Sequence, residues 1–149
     1  MAEIFMWFIA SLLVIVTVCL HYETMSLVSD KIVPWAQKHS RGRRVIAVSI
    51  AGLMLGHIAE IWVFALVIML LVHFPYLGSV QGSFNPGLGD FLYLSSVDYT
   101  SLGDNDMRLT GPIRALASTE TLAGMLMIGW SASFTYLKME QIWKISRSK

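Results

Sequence analysis

Three apolar stretches divided by polar segments organise the chain. Residues 4–20, 45–74 and 115–137 each carry at most one Lys, Arg, Asp or Glu. The first is about 17 residues long, the lower limit for a membrane-spanning helix. Glu3, the lack of Lys or Arg ahead of it and the lack of a small-x-small site after Leu20 favour a retained span over a cleaved leader. The second stretch, as a helix, would extend roughly 45 Å, which exceeds a bilayer core, so tilt or protrusion is expected. Between these two, Met25, Val28, Ile32 and Trp35 recur at helical spacing. They predict an amphipathic helix at the membrane surface, bent or broken by Pro34. After the second stretch come a Gly- and Pro-punctuated loop at 75–90 and then FLYLSSVDYTSLGDND at 91–106. The first half of that segment reads as a short helix. The second half, Thr100 to Asp106, is too rich in small and acidic residues for a membrane helix. Irregular polar backbone at membrane depth is tolerated only inside protein or beside water. A short helix, a polar loop and a further apolar run therefore predict a re-entrant loop.

Composition agrees with a membrane protein of one domain. The 149 residues are 55% hydrophobic and 14% charged, against roughly a quarter charged in soluble domains. A net charge of +1 gives no case for nucleic acid as a partner. Cys19 is alone, so neither an intrachain disulfide nor a cysteine metal cluster can form. Lys31, Lys38, Arg41, Arg43 and Arg44 crowd the first connector, and Lys138, Lys144, Arg147 and Lys149 the tail. The second connector is acidic at Asp90, Asp98, Asp104 and Asp106. Basic segments stay in the cytoplasm, so the N-terminus and the acidic loop are expected outside and the C-terminus inside. Three spans satisfy that assignment. Anionic lipids are the expected partners of the basic connector and tail. No nucleophile–base pair is legible, so an enzyme is not expected.

Thr100 and Ser101 offer hydroxyls, every residue there offers a carbonyl, and Gly103 adopts positive φ without steric cost. Such a strip can replace the water around a small cation. Asp104 and Asp106 would concentrate cations at its outer mouth. One copy cannot surround an ion, so a ring of subunits is required.

LYLSSVDYTSLGDND, residues 92–106, resembles the pore helix and filter of two-transmembrane potassium channels. Thr100-Ser101-Leu102-Gly103-Asp104-Asn105-Asp106 falls on Thr-Thr-Val-Gly-Tyr-Gly-Asp. Arg114 and the apolar run with Glu120, Gly124 and Gly129-Trp130 are similar to the inner helix of small bacterial channels. The resemblance covers about two thirds of the chain and leaves the first span outside it. It implies an all-α integral membrane protein with a re-entrant pore helix and filter between its second and third spans. It also implies a homotetramer in a bacterial inner membrane. Residues 45–74 would be the outer helix, 88–106 the pore helix and filter, and 112–137 the inner helix. Residues 1–44 would form an N-terminal span and connector, and 138–149 a cytoplasmic tail. Asp104 and Asn105 stand where the family has Tyr and Gly. A filter that passes both K⁺ and Na⁺, with Ca²⁺ bound or blocking at an Asp104 ring, is the expected consequence. The competing expectations are a non-conducting scaffold of the same fold and an intramembrane metal- or proton-handling protein.

Ionisable residues inside a span are functional hypotheses by default. His57 and Glu60, spaced i, i+3, share a helix face. They form a proton-sensing pair, or two ligands of a metal site completed by His21 or Glu23, or a hydrogen-bonded fastening of the second span. The fastening is preferred, because two ligands are too few for a metal. Glu120 and Asp98 are read as braces of the filter, with Arg114 or Arg108 pairing Glu120. Gly124 and Gly129 serve either as gating hinges or as close-packing positions.

Overall fold

The computed structural model describes residues 1–39, 43–103 and 106–147, and only the backbone at 145–147. Helices dominate: α1 (Ala2–Leu27), α2 (Val33–His39), α3 (Arg43–Leu71), α4 (Leu88–Thr100) and α5 (Arg114–Arg147). Two helical stretches, Ala2–His39 and Arg43–Leu71, are long and apolar enough to cross a membrane. The third predicted span lies in α5, which is longer than α3 but more polar, because Glu120 and several Ser and Thr residues interrupt it. α5 also continues through most of the tail, so the boundary expected at 137 is not a helix end.

Pro34 does not break the first helix. A π-helical turn, Val28–Ile32, joins α1 to α2, and the Val33 N–H bonds to the Val28 carbonyl five residues back. Proline lacks an N–H and its ring crowds the carbonyl four residues earlier, here Asp30, which lies in the widened turn. A π turn also inserts one extra residue into the helical period. The buried face accordingly starts at Met25 and Val28 but continues at Val33 and Ala36, one position beyond the expected Ile32 and Trp35. Trp35 is exposed. This face packs with Val45, Leu53 and Ile142, and Lys138 Nζ donates to Ser29 Oγ at 2.8 Å, tying α5 to the π turn.

The chain is mostly helical, consistent with the expected all-α class, and carries one short pair of strands besides. β1 (Ser79–Gly82) and β2 (Met107–Thr110) pair antiparallel, from Ser79 opposite Thr110 to Gly82 opposite Met107. The strands flank α4 in sequence and gather the two ends of its connectors. Above the helices they join a second apolar cluster that includes Met6, Phe64, Ile68, Phe91, Leu116 and Leu109.

Each long helix buries one stripe. In α1 it runs Met6, Ala10, Leu13, Thr17, His21 and Met25. In α5 it includes Leu116, Glu120, Met127 and Ser131. Spacings of three and four residues keep such positions on one face. The outward faces are apolar as well, including Phe8, Leu12, Leu55, Leu70 and Leu126, which suits lipid or protein neighbours better than water. Two glycines set the helix approaches. A Cβ on Gly56 would lie 2.5 Å from Thr24 Cγ2, so α1 and α3 come close there. A Cβ on Gly124 would lie 2.0 Å from the Tyr99 carbonyl oxygen, so α5 meets the end of α4 backbone-on. Gly124 is thus a close-packing position.

Candidate functional site

The buried stripes of four helices bring five polar side chains together between the two apolar clusters. His21 Nδ1 lies 2.8 Å from Glu60 Oε1. The Tyr99 hydroxyl donates to Glu60 Oε2 in a short contact. His57 Nδ1 lies 2.8 Å from the Tyr99 oxygen. His57 Nε2 and His21 Nε2 both reach Ser131 Oγ, at 3.1 and 3.2 Å. The five contacts close a ring: His21, Glu60, Tyr99, His57, Ser131 and back to His21. All five residues are buried, with His21 and Glu60 wholly so. Trp130 packs on the His21 ring at 5.5 Å between centroids, and the two imidazoles are 5.1 Å apart.

Helical geometry explains the convergence. His57 and Glu60 point to one side of α3 because they are three residues apart. His21 falls on the α1 stripe that the Gly56 approach draws against α3. Tyr99 is held by the Gly124 contact behind it. Of the two partners proposed for His57 and Glu60, His21 is in place, whereas Glu23 is exposed. Tyr99 and Ser131 were not singled out from the sequence.

A second polar cluster lies one turn away on α4. Ser95 Oγ sits 2.9 Å from the Ile61 carbonyl and in short contact with Glu120 Oε1. Glu120 Oε2 and Asp98 Oδ2 are buried without a hydrogen-bond partner among the described residues. The expected Arg108 or Arg114 partner of Glu120 is not there: both arginines are exposed, and no ion pair joins either to Glu120. The physical reason for Arg114 is spacing, since six residues on one helix place it about 9 Å along the axis and on another side.

At its C-terminus α4 ends in a Schellman-type cap. Ser101 N–H bonds to the Asp98 carbonyl and Leu102 N–H to the Val97 carbonyl, each at 3.1 Å. Thr100 Oγ1 donates back to the Ser96 carbonyl at 2.7 Å. Ser101 holds φ 55°, ψ 28°, the left-handed position that glycine ordinarily fills. Gly103 has φ 69°. Asp104 and Asn105, two of the expected filter residues, lie outside the described residues. Asp106 lies beside β1, its carbonyl accepting from Ser83 N–H at 2.8 Å. Ser101→Gly is expected to stabilise the protein by about 0.5–1 kcal/mol, because a side chain in left-handed geometry costs about that much or more. Thermal denaturation in detergent checks it, and an unchanged or lower midpoint would contradict the strain.

Comparison with family models, with curated proteins and with solved structures finds no match to the chain.

Proposed function

We propose that the chain is one subunit of a tetrameric cation channel with a re-entrant pore helix and a weakly selective filter. The observation that carries this reading is α4 and the turn after it. α4 has 13 residues, too few to span a bilayer core of about 30 Å. It is nonetheless packed against both α3 and α5. Its C-terminal end, the negative end of the helix dipole, opens on Thr100, Ser101, Leu102 and Gly103. There the sign of φ alternates: positive at Ser101 and Gly103, negative at Leu102 between them. In this reading the backbone carbonyls of the turn, with its hydroxyls, form one oxygen-lined edge of a pore. Four such edges around an axis would make cation sites.

In this reading α1, α3 and α5 span the membrane, with the N-terminus outside and the basic tail in the cytoplasm. The exposed α5 residues Leu122, Met125, Leu126 and Ile128 supply apolar surface for neighbouring subunits. Asp104 and Asp106 draw cations to the mouth. Asp104 and Asn105, in place of Tyr and Gly, leave K⁺ and Na⁺ poorly distinguished and admit Ca²⁺ binding.

The test is ion flux from liposomes holding the purified chain. K⁺ and Na⁺ are expected to leave at similar rates, Ca²⁺ to slow both, and Asp104→Asn to weaken that block. Wild-type protein, shown by cross-linking to be tetrameric, that passes neither ion at any pH or Ca²⁺ concentration would sink the proposal.

A further inference from the structure

With Glu60 ionised, the five-membered ring needs a cation that its side chains do not supply. Five hydrogen bonds require five protons. An ionised Glu60 brings none, Tyr99 and Ser131 bring one each, and two neutral imidazoles bring one each. The total is one short. The shortage is local, too. Both Nε2 atoms meet the single Ser131 hydroxyl, whose one proton serves only one of them. At least one imidazole therefore carries its proton on Nε2. If it is otherwise neutral, its Nδ1 lone pair faces the Glu60 and Tyr99 oxygens.

We propose that His21 Nδ1, His57 Nδ1 and the Glu60 carboxylate bind a divalent transition-metal ion of the zinc class, with the Tyr99 oxygen as fourth donor. Three observations support a metal ion over an extra proton. First, one ligand atom from each of His21, His57 and Glu60 lies within 4.8 Å of the others. Tetrahedral zinc with bonds of about 2.0–2.1 Å holds its ligands about 3.3 Å apart. His21 Nδ1 lies 2.8 Å from Glu60 Oε1 and His57 Nδ1 lies 3.7 Å from Glu60 Oε2, so the carboxylate stands between the two imidazoles with one oxygen toward each. Second, both histidines present the same nitrogen to the carboxylate, and both anchor the other nitrogen on one hydroxyl. Ser131 Oγ has two lone pairs and can accept from both Nε2–H groups, which fixes the tautomer that frees both Nδ1 atoms. Metal-bound histidines are oriented in this way by an outer partner. Third, two imidazoles and a carboxylate match zinc or iron better than calcium or magnesium, which want oxygen alone. Entry of the ion displaces the protons that lie between these donors. The site would join α1, α3 and α4, and its fourth donor stands one residue before Thr100. It stands independently of the channel proposal.

Glu60→Gln makes the test decisive. A glutamine amide accepts through oxygen and donates through nitrogen, so it brings the missing fifth proton and completes the ring without any cation. The full chain is purified in detergent, stripped with a chelator, and titrated with Zn²⁺ or Co²⁺. Elemental analysis is expected to give one metal per chain, and bound Co²⁺ the visible absorption of a tetrahedral site. Ser131→Ala is expected to weaken binding about 10–100-fold. Glu60→Gln is expected to fold and to lose binding, while His39→Ala and His73→Ala, at exposed histidines, leave it unchanged. Wild-type protein that takes up neither ion leaves an extra proton as the ring's cation and overturns the proposal. Undiminished binding by folded Glu60→Gln overturns it equally.

Discussion

Glu60→Ala is expected to destabilise the folded protein by about 3–5 kcal/mol, whereas Glu60→Gln costs little. Glu60 links two members of the ring: it accepts from Tyr99 and lies 2.8 Å from His21 Nδ1. Alanine leaves the wholly buried His21 and Tyr99 facing an empty space. Removing one partner of a buried charged pair costs about 3–5 kcal/mol, because the other is left without compensation. In this ring the loss spreads, since His21 ties α1 to α3 and Tyr99 ties α4 to α3. Glutamine keeps the shape and supplies one donor and one acceptor, so every link can close with neutral imidazoles. The measurement is the melting midpoint of metal-free wild-type, Gln and Ala proteins in one detergent. Equal midpoints for Gln and Ala would show that the ring's hydrogen bonds do not hold the four helices together.

How much of this was legible beforehand differs by residue. His57 and Glu60 announce themselves, because two ionisable residues three apart in an apolar run must face something polar. His21 follows from the same logic on the first span. Tyr99 and Ser131 carry no such mark: a tyrosine in a short polar helix and a serine in a run of small residues are ordinary. They meet the ring only through contacts between residues 39 to 110 positions apart, which no local period encodes. One signal was available for Ser131. It continues the α5 stripe Leu116, Glu120, Met127, so its spacing places it inward on the same face as Glu120, about three turns further along. The strands were not legible, since β1 and β2 are four residues each, their pairing spans the whole of α4, and SVQG has little alternation to declare a strand. The π turn was half legible. Pro34 signals a disturbance, but only the fold shows that a wider turn absorbs it and shifts the buried face by one residue.

Glu120→Ala is expected to cost about 2–4 kcal/mol, through the cavity and the lost partner of Ser95, while Glu120→Gln is expected to be nearly neutral. The difference rests on the Ser95 hydroxyl, which has one proton and faces two oxygens, the Ile61 carbonyl and Glu120 Oε1. A carbonyl can only accept. Both contacts are satisfied only if the Glu120 side chain donates to Ser95 while Ser95 donates to Ile61. A protonated carboxyl does that, and so does the amide of glutamine. A neutral side chain also explains how Glu120 lies wholly buried with Oε2 unpartnered and no arginine paired with it among the described residues, since an isolated buried carboxylate would be far more costly than an isolated acid. Glu120→Asp separates this account from simple space filling. It keeps the acid but shortens the reach to Ser95 by one methylene, so it should behave like alanine in stability and unlike glutamine. The readouts are the melting midpoint and the carboxyl stretching band in the infrared, where wild-type protein should show a protonated carboxyl that Glu120→Gln removes. A spectrum unchanged by Glu120→Gln, together with a midpoint as low as that of alanine, would mean that Glu120 is ionised and that Ser95 holds α4 to α5 in some other way.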